Sequence, residues 1–107
     1  LPSAFDEFIC VQLDRTSNRK ELVTDEEKAW GEKIQMEHLA HLKELYEKGL
    51  SVVHGPFTDD TGGGIIVLRG SSLTIEQVQA MMDDDPIVKA GRLTARVRPF
   101  VAPKGIL

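Results

Sequence analysis

His38, His41 and His54 are the chain's three histidines. All fall in one stretch, His-Leu-Ala-His-Leu-Lys-Glu-Leu-Tyr-Glu-Lys-Gly-Leu-Ser-Val-Val-His-Gly-Pro-Phe, from His38 to Phe57. Histidine changes charge near neutral pH, so it suits both general-base and general-acid work. Asp59 and Asp60 follow just after the stretch. An imidazole held neutral by Asp59 or Asp60 is a competent base toward a carbon acid or a phenol. His38 is the first candidate for that base. The plain alternative is a buried core histidine that bonds only to a backbone carbonyl.

His41 stands one helical turn from His38. The two suggest a metal pair completed by His54 or an aspartate. The spacing matches no zinc motif, so no metal is expected. A rim or interface position suits His41 better, and a substrate contact is its candidate role. Arg96 and Arg98 share one strand face, about 7 Å apart by strand rise. They suit bidentate binding of a carboxylate, with Arg98 the candidate substrate anchor, or ion pairing across a dimer.

These residues need elements to hold them. Thr24 stands three residues before Glu27, a capping-box pattern, and Asp25 and Glu26 suit the positive end of a helix. The helix is expected over 25–48. Trp30, Ile34, His38, His41, Leu42 and Leu45 fall on one stripe, with His38 near its middle. Gly49 ends it. Period-two alternation predicts strands over 5–13, 50–57, 65–69 and 92–101. Thr58 to Gly64 is a turn by composition, so the second and third strands form a hairpin. No phosphate loop is expected there, because no Lys-Ser/Thr follows and the next element is a strand. A second helix is expected over 74–83, capped by Ser71, Ser72 or Thr74. Asp83-Asp84-Asp85-Pro86 reads as its solvated end, since proline disfavours helix in the residue before it. Cys10 reads as a small core residue.

The resulting order is strand, helix, strand, strand, helix, strand. The simplest closure is an α+β, ferredoxin-like βαββαβ fold, an antiparallel four-stranded sheet with both helices on one face. The other face would carry Phe8, Cys10 and Phe100. An apolar sheet face of that size implies a partner, and a second copy is the economical one.

The whole chain sets limits. Its 107 residues predict one domain, 1–107. A net charge of −4 gives no basic surface for nucleic acid. One cysteine allows no intrachain disulfide. No apolar run approaches the length needed to span a membrane, and no signal segment opens the chain, so a cytoplasmic protein is expected.

His38-Leu39-Ala40-His41-Leu42, then Gly49, then His54-Gly55-Pro56-Phe57 with Asp59 and Asp60, resembles the YCII-related (YciI-like) family. So does Asp85-Pro86-Ile87-Val88-Lys89-Ala90-Gly91 followed by Val97-Arg98-Pro99-Phe100. The resemblance spans roughly residues 36–100. It implies a dimeric α+β barrel of ferredoxin-like subunits and a pocket with a histidine–aspartate acid–base pair. On it, His38 is the histidine and Asp59 or Asp60 the aspartate. Some relatives are dehydrochlorinases of aromatic breakdown, and the wider superfamily includes an isomerase and cofactor-free monooxygenases.

The expected function is therefore acid–base chemistry of isomerase, lyase or dehydrochlorinase type on a small organic acid or phenol. The competing expectation is a non-catalytic dimer that binds a small ligand. Neither calls for a cofactor.

Overall fold

A computed structural model describes residues 3–107. Seven elements follow in order: β1 Phe5–Arg15, α1 Asp25–Glu47, β2 Ser51–Pro56, β3 Gly64–Arg69, α2 Ile75–Asp83, α3 Pro86–Lys89 and β4 Leu93–Pro103. The expected strands and two long helices are present within a few residues of their predicted limits. The single-turn α3 was not expected.

Local chemistry explains the helix starts. Thr24 Oγ1 accepts from the Glu27 N–H at 3.1 Å, and Glu27 Oε1 accepts from the Thr24 N–H at 3.0 Å. Lys20 reaches the other Glu27 oxygen at 2.6 Å. Its hydrogen bond, then those of the Thr24 and Val23 N–H groups, lowers the Glu27 carboxyl to about 2. Thr74 and Gln77 repeat the capping box at α2. Gly49, at φ +75°, closes α1 in the left-handed region open to glycine.

The sheet is antiparallel, in the order β2-β3-β1-β4. β1 lies centrally, pairing with β3 from Phe8–Arg69 to Leu13–Gly64 and with β4 from Phe5–Pro103 to Arg15–Leu93. Pro56, Pro99 and Pro103 all lie on the edge strands β2 and β4. There a missing N–H costs no central ladder bond.

Alternation sorts the side chains. Ile9, Val11 and Leu13 join Ile66, Leu68 and Leu93 beneath Leu42 and Leu45 of α1, Val78 and Met82 of α2, and Ile87 of α3. This is the main core, and it puts the helices on one face. Phe8, Val67 and Ala102 form a second cluster on the other face, with Val52 and Ile65 against it. No helix contributes to that cluster. Cys10 is half-buried there, opposite Val67 and Arg98 in register. The architecture is the ferredoxin-like α+β fold expected from the sequence.

Two details differ from the expected pattern. The buried residues of α1 are His38, Leu42 and Leu45, all in its C-terminal half. Trp30, predicted on the buried stripe, is 42% exposed. In the N-terminal half of α1 only Ile34 packs against the core, and it is only partly buried. Leu22 packs against Gly31 instead, so close that a side chain there would meet it. The second difference is Asp85. It is 1% exposed, not part of a solvated helix end. It caps α3, accepting from the Ile87 N–H at 2.9 Å, with Pro86 in the first turn. Proline ends α2 here and also starts the next turn of helix.

Candidate active site

A cavity of about 730 Å³ lies between α1, the sheet and the glycine-rich turn. Its walls come from the N-terminal half of α1 as far as Leu42, the ends of β1 and β2, the glycine-rich turn, and the segment from Ile87 to Leu93. Leu13, Leu22, Ile34, Leu42, Ile87 and Leu93 give it apolar surface. His38 and His54 are its two imidazoles.

His38 is buried in its wall. Nδ1 lies 2.9 Å from both carboxylate oxygens of Asp85. His41 Nδ1 lies 2.6 Å from Asp85 Oδ2. Burial pushes the Asp85 carboxyl up. Hydrogen bonds from His38, His41 and the Ile87 N–H, with the attraction of His38, more than offset burial and hold it below the usual aspartate value. An ionised carboxylate has no proton to donate, so each Nδ1 carries the hydrogen. Neutral His38 therefore holds its lone pair on Nε2. That nitrogen has no hydrogen-bond partner among the described residues.

The arrangement can move a proton. A cavity-lining imidazole with a free Nε2 and a carboxylate on Nδ1 has the geometry of a general base whose imidazolium is stabilised as it forms. His41 acts on the same carboxylate but does not line the cavity. His54 lines it from the other wall. Its Nδ1 is 3.4 Å from Ser51 Oγ, and its ring meets Tyr46 edge-on at 6.2 Å.

The expected aspartates are elsewhere. Asp59 is exposed and accepts from the Thr61 N–H at 3.1 Å and the Thr61 hydroxyl at 2.6 Å, a local turn. These bonds hold its carboxyl below the usual range. Asp60 accepts from Arg15 through its backbone oxygen at 3.2 Å. Neither lines the cavity. The pairing of His38 with Asp59 or Asp60 is therefore corrected to Asp85. The Asp59 carboxylate is taken up by Thr61 of its own turn, and Asp60 is tied to Arg15 only through its backbone.

Arg98, the candidate substrate anchor, is not brought to this cavity. It lies opposite Cys10, on the sheet face away from the helices, and does not line the cavity. Sequence reasoning missed the arginines that do: Arg15, Arg19 and Arg92. Arg92 precedes β4, just after Gly91 at φ +72°. It stands just outside β4, so strand alternation does not place it. For Asp85 a signal was present: an aspartate directly before proline is a helix-capping pattern.

The chain matches the YCII-related domain over residues 17–101. It belongs to the YCII-related family. The match takes in both parts of the pair, His38 and Asp85, from the two stretches whose resemblance was noted in the sequence. A comparison with curated proteins found no match. No set of three or more His, Cys, Asp or Glu side chains among the described residues is grouped to hold a metal. No described helix is long and apolar enough to cross a membrane.

Proposed function

We propose that this YCII-related protein is an acid–base enzyme acting on a small organic acid or phenol, with His38 as base and Asp85 as its positioning partner. One observation carries the reading. His38 lines the cavity with Nε2 free, while Nδ1 is fixed by a buried carboxylate.

The chemistry follows from this geometry. Nε2 removes a proton from a carbon or a hydroxyl of the bound ligand. Asp85 stays ionised and stabilises the imidazolium. Isomerisation returns the proton to another atom of the same ligand. In elimination, the electrons of the broken C–H bond form a double bond as the leaving group departs with its own pair. The working unit is a homodimer joined through the sheet face away from the helices, where Phe100 is exposed beside the Phe8–Val67–Ala102 cluster.

The test is deuterium exchange into a panel of phenolic, lactone and keto acids, followed by NMR, for wild type and His38→Gln. Exchange by wild type and a loss of roughly 10²- to 10⁴-fold in the variant are expected of a general base. Binding without exchange at any carbon or conversion of any panel member would sink the catalytic reading and leave a ligand-binding protein.

A further inference from the structure

The cavity holds four cationic residues, Arg15, Arg19, Lys28 and Arg92, against one carboxylate, Glu32. This excess of positive charge occurs in a chain whose net charge is −4. The arginines are anchored without being neutralised. Arg19 donates to the Arg92 backbone oxygen at 3.0 Å, Arg92 to the Lys20 backbone oxygen, and Arg15 to the Asp60 backbone oxygen at 3.2 Å. Among the described residues, no ion pair reaches any of the three.

Their closeness carries a cost. Burial first, then repulsion from Arg92 and Arg15, pushes the Arg19 guanidinium below its ordinary value. Arg92 is 9% exposed, so water screens it little. Arg15 lies over Gly62, whose φ of +71° and lack of a side chain leave room for the guanidinium. Like charges gathered in a partly buried cleft, and bonded only to neutral carbonyls, are arranged for an anion from outside.

We infer that the cavity binds an organic acid whose carboxylate is held by Arg19 and Arg92, with Arg15 at the rim. The planar guanidinium matches a carboxylate bidentately. The apolar walls of Leu22, Ile34, Leu42, Ile87 and Leu93 take the carbon skeleton, which an inorganic anion lacks. His38 lines the same cavity, so the anchor presents the rest of the skeleton to Nε2. The inference rests on the proposed function only for that last step; binding stands without it.

The experiment is a titration followed by backbone and arginine Nε–H NMR signals. The probes are small aromatic and aliphatic carboxylates, each beside its uncharged amide, with inorganic phosphate as a further probe. Wild type is compared with Arg19→Gln, Arg15→Gln and Arg98→Gln, the last on the opposite face. Carboxylates should shift the Arg19 and Arg92 signals, and their amides should not. Arg19→Gln should weaken binding by roughly 10- to 100-fold, as loss of a charge-assisted contact does. Arg15→Gln should weaken it less, and Arg98→Gln should match wild type.

Equal binding of acid and amide, no carboxylate binding in the millimolar range, or equal affinity of Arg19→Gln and Arg98→Gln would overturn the anchor. Phosphate binding as tightly as the best carboxylate would overturn its organic-acid specificity. The two proposals fail separately. Carboxylates that bind at Arg19 without exchange remove the base and keep the anchor. Exchange that is indifferent to Arg19→Gln removes the anchor and keeps the base.

Discussion

His38 and Asp85 are 47 residues apart in the chain, and their side chains meet at 2.9 Å. One lies on α1, the other caps α3. The contact joins two helices as well as fixing an imidazole, so in the proposed function the same carboxylate serves stability and chemistry.

Asp85→Asn tests both roles. The asparagine keeps one acceptor but turns an N–H₂ group toward buried donors. Breaking these charge-assisted bonds should cost roughly 2–4 kcal/mol, measured by urea unfolding. The His38 ring nitrogens should also change their ¹⁵N shifts, since the Nδ1–H tautomer loses its acceptor. A variant with unchanged stability and unchanged His38 shifts would show that the pair does not form in solution.

Acid should weaken the fold through the same group. Asp85 titrates below its unfolded value of about 3.9. The folded state then binds fewer protons than the unfolded state in that window. Its contribution is fully present above pH ~4 and is lost as pH falls through the folded pKa. Glu27, lowered to about 2, adds a loss of the same sign in the same region. Urea midpoints measured from neutral pH down to about pH 2 should fall more steeply for wild type than for Asp85→Asn. Parallel curves would mean that Asp85 is not depressed.

Gly63 and Gly91 separate backbone conformation from close approach. Both have positive φ, +74° and +72°. A Cβ on Gly63 would run into the Leu13 backbone oxygen, whereas one on Gly91 meets nothing within 4 Å. Gly91→Ala should cost about 1–2 kcal/mol, the left-handed penalty alone. Gly63→Ala should cost more, and should disturb the cavity wall at Leu13. Equal thermal unfolding shifts for the two would refute the tight contact between turn and β1.

The open sheet face predicts the assembly. Phe8 and Phe100 stand opposite each other in register, ring centroids 6.5 Å apart, yet Phe100 is 43% exposed. Phe100→Asp should turn a sedimenting dimer into a monomer while leaving the helix content unchanged. A wild-type monomer at micromolar concentration would end the dimer reading.

The sequence by itself determined the four strands, the two long helices and the two faces of the sheet. Capping boxes, the Gly49 stop and strand alternation act over a few residues, so they can be read locally. Thr24 with Glu27, and Ile9, Val11 and Leu13 against the helices, are in the structure as the pattern predicts. His38 was also legible, as the histidine in the middle of an apolar stripe. Its partner was not. The Asp85-Pro86 pattern marks a helix cap, but only the docking of α3 on α1 takes that carboxylate out of water and brings it to His38. Tertiary structure likewise decided which arginines face the ligand space. Arg98 belongs to a strand whose alternation turns it away, Arg15 ends β1 on the face of Leu13, and Arg19 and Arg92 lie outside the strands, where no periodicity governs them. Burial and long-range contact, not residue type, selected the site.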